Sequence, residues 1–84
     1  MADMASQQDL KQAIDLALTG QWDAAHKIVQ KYDDPASCWL HACLHKIEGD
    51  SENSRYWYAR TGGRTFEDFS DPRAELEAIK ASLN

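Results

Sequence analysis

The sequence is short of positive charge. Nine Lys and Arg stand against fourteen Asp and Glu, giving a formal charge of −5 and a pI near 4.9. Nucleic acids and anionic membrane surfaces are held through basic patches, so this deficit argues against both and points to a neutral or basic protein partner. Long apolar runs are missing too. None approaches the roughly 20 residues that a bilayer crossing needs. The first residues, MADMASQQDLKQ, have neither the basic head nor the apolar middle of an export signal. Cysteine is scarce: Cys38 and Cys43 are the two. Their spacing sets them about 140° apart around a helix, so they are not expected to pair, and a reduced, cytoplasmic setting follows. There is no CxxC pair. There is no phosphate-cradling Gly loop either, because Gly62-Gly63-Arg64 follows a helical stretch and reads as its C-terminal stop. With four Gly and two Pro, the chain lacks the composition of a disordered or linker-rich segment.

What remains is helical periodicity with punctuation, and it predicts an all-α fold in one domain over residues 1–84. Residues 1–5 are expected to fray ahead of Ser6, which caps a first helix carrying Leu10, Ala13, Ile14, Ala17 and Leu18, and Gly20 stops it. A second helix runs from Trp22 to Tyr32. Asp34 and Pro35 form a cap-then-proline start for a third, which ends at Gly49. A fourth extends from about Ser51 to Thr61. After a loop in which Phe66 and Phe69 are docking groups, Asp71 and Pro72 start a last helix carrying Leu76, Ile79 and Leu83. The expected architecture is thus two stacked helical hairpins, about 6–32 and 35–61, with a C-terminal capping helix at about 71–83.

The hairpins repeat. Gly49 follows Gly20 by 49 − 20 = 29 residues, and the same shift lays Leu10 on Trp39, Ala13 on Ala42, Ile14 on Cys43 and Leu18 on Ile47. It also lays Ala25, Ile28, Val29 and Tyr32 on Ser54, Trp57, Tyr58 and Thr61. Periods of this order mark stacked helix pairs. The stretch GQWDAAHKIVQK resembles the turn and second helix of a tetratricopeptide repeat, with Ala25 as the small residue at the helix crossing. In the second hairpin Ser54 takes that place and Tyr58 the aromatic one. The period is shorter than the roughly 34 residues of that family.

A second resemblance rests on HACLHKIEGDSENSRYWYARTGGR with the upstream Trp22, Asp23, Ala25 and His26. This pattern is similar to a family of short bacterial helical proteins that carry His-Ala-x-Leu-His-x-x-Glu-Gly-Asp followed by Tyr-Trp-Tyr. Ser54 and Thr61 depart from that pattern, where Ala is expected, and there is one additional Gly before Arg64. The resemblance implies a helical fold and a region to inspect; it implies no reaction.

Two residue sets stand out because the first hairpin has no counterpart for them. His41 and His45 are four apart on the third helix, so their rings can approach one ion. Glu48 lies a turn further on, and His26 can arrive from the second helix. These four are the candidate metal ligands for a divalent ion. The alternative is that the imidazoles merely pack against the neighbouring helix while Glu48 stays a surface charge. A zincin-type base is absent, since Ala42 follows His41 where a Glu is required. Cys38, a turn from His41, reads as a packing residue and not as an activated nucleophile. The second set is Asn53, Tyr56 and Arg60, a polar face of the fourth helix suited to binding, Tyr and Arg being common interface anchors. With no complete catalytic motif, the leading expectation is a protein–protein interaction module, its partner a protein that could be a second copy. The rival is a small metal-binding protein or hydrolase using His41, His45, Glu48 and His26.

Overall fold

A computed structural model describes residues 6–83; the expected fraying of residues 1–5 lies outside that range. The described residues form five α-helices and no strand: α1 Gln7–Leu18, α2 Trp22–Val29, α3 Pro35–Glu48, α4 Ser51–Tyr58 and α5 Pro72–Ser82, with one 3-10 turn at Phe66–Asp68. The fold class expected from the periodicity is therefore the one observed.

Local chemistry explains most of the boundaries. Ser6 accepts the amide of Asp9 at the start of α1. Asp34 accepts the amide of Ser37 at 3.2 Å and its hydroxyl at 2.7 Å, with Pro35 in the first turn where its missing N–H costs nothing. Asp50 and Asp71 cap α4 and α5 in the same way. Gly49 stops α3 with φ of 88°, a left-handed position that a side chain would resist, and the amide of Asp50 closes back on His45 O at 3.0 Å.

Three expectations need correction. The fourth helix ends at Tyr58, not Thr61, so Arg60 and Thr61 lie in the turn after it. The second helix ends at Val29, not Tyr32. Asp34 must be extended, at φ −67° and ψ 159°, to cap α3 ahead of a proline, so the chain has to leave the helix early. Ile47 was expected in the core as the counterpart of Leu18, yet it is 41% exposed. It borders a surface cleft with Ala17, Leu18, Pro72 and Leu76 instead.

Packing follows the repeat closely elsewhere. Leu10 and Trp39, Ala13 and Ala42, Ile14 and Cys43, Ala25 and Ser54, and Val29 and Tyr58 are all buried as pairs. Ser54 makes the tight crossing of α3 and α4 acceptable by donating its hydroxyl to Ala42 O at 2.7 Å, so the buried oxygen is satisfied. Helix α1 packs on α2 and α3 on α4, while α5 lies across both α1 and α3 and α2 touches α3. Helix α3 is thus central, and every residue from Ser37 to His45 is buried. That is why its polar stripe, which a two-sided helix would turn to water, lies inside.

Candidate metal centre

Two helices bring the three imidazoles together. His26 comes from α2, and His41 and His45 come from successive turns of α3. Ring nitrogens of the three lie within 4.8 Å of one another. The Nε2 atoms of His26 and His41 are 3.1 Å apart. A tetrahedral ion with Zn–N bonds of about 2.0–2.1 Å holds its nitrogens roughly 3.3 Å apart. That pair is already close to the separation an ion requires.

Indole rings fix the cluster from both sides. Trp22 lies one helical turn before His26 and stacks on it, with centroids 4.7 Å apart and planes 9° apart. Its Nε1 donates to Leu44 O at 2.5 Å, which ties α2 to α3. Trp57 of α4 stacks on His41 at 4.0 Å and 14°. The third ring, His45, is held by Glu48, whose Oε1 lies 2.5 Å from Nδ1. Carboxylates placed in this way fix ring orientation and raise the basicity of the other nitrogen. Glu48 therefore acts on the back of a ligand ring. With Asp50 it also forms a second acidic group around His45, open to solvent.

Electrostatics favour the neutral form of His41 and His26, the form that binds a metal. Burial, reinforced by the neighbouring His26 and His45, pushes His41 down to about 3. Burial lowers His26 too, with His45 adding to the effect and Glu48 and Asp23 opposing it. Only 4% of His41 is exposed, and its Nδ1 is buried with no hydrogen-bond partner. The contact between the two Nε2 atoms needs one proton. If His41 supplies it, the buried Nδ1 is a bare lone pair, which costs less to leave unpaired than an N–H would.

The second candidate set is arranged differently. Asn53 and Tyr56 on α4 and Arg60 in the turn after it are exposed, Tyr56 by 56%. The guanidinium of Arg60 lies 5.8 Å from the Tyr56 ring and 5.5 Å from the Trp57 ring. Since Trp57 also stacks on His41, the two sets adjoin through one indole, a connection that spacing along the chain did not reveal. Cys38 is buried, and burial raises its thiol against the pull of Arg60, so it stays protonated.

A third group had no sequence signal. Glu75 is fully buried in α5. Its Oε1 meets Lys46 Nζ at 2.7 Å, and its Oε2 accepts from Trp39 Nε1 at 2.8 Å and from Tyr58 Oη at 2.5 Å. Lys46 spends its remaining donors on Phe66 O and Phe69 O. Every donor in this network is used, so it is a structural clamp that fixes α5 and the loop before it. Phe66 and Phe69 do dock against the core, as expected.

Comparison with protein families, curated proteins and solved structures finds no match to any of them. No helix among the described residues is long and apolar enough to cross a membrane.

Proposed function

We propose that this protein binds a zinc-type divalent ion through His26, His41 and His45, with Glu48 orienting His45. The observation that carries the reading is the convergence of three imidazoles from two helices, with ring nitrogens within 4.8 Å of one another. The ion would bridge α2 to α3 and so join the two hairpins. Binding would then stabilise the fold, because the unfolded chain holds no such site. At zinc about 100-fold above its dissociation constant, the gain is about 2.7 kcal/mol, or a rise in Tm of roughly 10–20 °C.

The test uses protein purified without a His tag. Metal analysis and calorimetric titration should give one zinc per chain. His26→Ala, at the half-exposed ligand, should abolish binding while the metal-free fold persists. Glu48→Gln should weaken binding by about 10- to 100-fold. A chain that takes up no zinc, and whose unfolding zinc does not move, sinks the reading.

A second reading is favoured by the exposed Tyr56 with Arg60 stacked beside it. On this reading the tetratricopeptide-like hairpins present the Asn53, Tyr56 and Arg60 face to a protein, a second copy being the simplest. Sedimentation equilibrium should then show a dimer that Tyr56→Ala weakens at least tenfold. A monomer at every concentration up to millimolar counts against self-association.

A further inference from the structure

We infer that the ion held by His26, His41 and His45 keeps one coordination position open on the His26 side and takes a water molecule or a small monovalent anion there. The inference rests on the metal reading proposed above and concerns the fourth position. Zinc-type ions are four-coordinate in proteins, and three protein ligands plus an open place distinguish reactive sites from closed structural ones.

The three imidazoles group with one another, while Glu48 and Asp50 group with His45 alone. Glu48 is engaged at Nδ1 of His45, which leaves Nε2 as that ring's free ligand atom. The thiols are spent elsewhere. Cys38 Sγ points to Asp33 O at 3.4 Å and Cys43 Sγ to Pro72 O at 3.7 Å, and burial is the main force keeping each protonated.

Access is one-sided. His41 and His45 are 4% and 6% exposed, whereas His26 is only partly buried. Water therefore reaches the cluster past His26. The flat indoles of Trp22 and Trp57 stack on His26 and His41, and such crowding suits a ligand of few atoms better than a large one. Charge points the same way. Three neutral imidazoles leave the ion its full double positive charge, so its fourth partner is favoured as an anion. A bound water would give one proton to solvent near neutral pH and remain as hydroxide.

Cobalt(II) in place of zinc makes the fourth position visible, because its absorption bands respond to each ligand. The cobalt-loaded full chain should show bands that shift with pH around neutrality. Azide should shift them again with one equivalent per cobalt. Because azide competes with hydroxide, its apparent dissociation constant should rise about tenfold per pH unit on the alkaline side. Cobalt that binds but gives bands indifferent to azide and to pH between 6 and 9 would overturn the open position and leave the three-imidazole site standing. Failure of cobalt and zinc to bind at all would overturn both.

Discussion

Glu75→Ala is expected to destabilise the protein by about 3–5 kcal/mol, a large part of the 5–15 kcal/mol that holds a typical domain together. The carboxylate is fully buried and has three partners: Lys46, Trp39 and Tyr58. Its removal strands the Lys46 charge, which is itself only 7% exposed, together with an indole N–H and a phenol O–H. A buried charge that loses its partner costs far more than the pair was worth, because the desolvation remains and the attraction is gone. Burial is the main force raising the Tyr58 phenol and persists without the carboxylate, so Tyr58 will not ionise to accommodate the change.

Lys46→Met should be as damaging, since it leaves the carboxylate without its cation. The double variant Lys46→Met/Glu75→Ala should recover part of the loss, because neither charge is then buried. Urea unfolding of the four proteins in a double-mutant cycle measures this. A loss below about 1 kcal/mol for Glu75→Ala would mean that α5 is not clamped as described. The same network explains how an 84-residue chain with a small core fixes its last helix.

The second large effect is acid sensitivity of the metal-free protein. His41 has its affinity for a proton lowered to about 3 in the fold, against 6.5 in the unfolded chain. Between those values the unfolded chain carries a proton that the folded one refuses. Stability is therefore complete above pH 6.5 and falls as the pH drops, by about 1.4 kcal/mol per unit for this one ring. His26, lowered as well, adds to the slope in the same direction. At pH 4.5 the loss from His41 alone is about 2.7 kcal/mol.

Glu67 and Asp68 are also held below their ordinary values of 4.5 and 3.8, chiefly by hydrogen bonds from Arg55 and Thr65. Their contribution is lost only as the pH falls through and below those values. The window from 4.5 to 6.5 therefore isolates the imidazoles. Urea midpoints measured across it should decline steadily, and His41→Asn should flatten the decline. A midpoint unchanged from pH 7.5 to 4.5 would contradict the neutral, buried state of His41.

Which features were legible in the chain, and which were not, follows from the range of the forces involved. Caps and stops act within a turn. Ser6, Asp34 and Asp71 with Gly20 and Gly49 thus marked the helices before any packing was known. The 29-residue shift found most buried pairs because both hairpins bury equivalent faces. The i, i+4 spacing placed His41 beside His45, and the same spacing stacks Trp22 on His26.

Burial obeys neighbours that the chain supplies from far away. Projection of α3 gave it a polar side, but α2 covers that side, and so His41 and His45 are inside. Ile47 lies beyond the cover of α5 and stays exposed, although its periodicity is that of a core residue. Glu75 belongs by composition to a solvated face, yet Lys46, 29 residues earlier, accompanies it into the core. The sequence by itself determined the helices, their starts and glycine stops, and the pairing of His41 with His45. Only the tertiary structure decided that His26 joins them, that Glu48 stands behind a ligand ring, and that Trp57 connects the imidazoles to the Tyr56 and Arg60 face. The physical reason is that capping and periodicity are properties of one turn, while desolvation and the convergence of side chains depend on which helix lies on which.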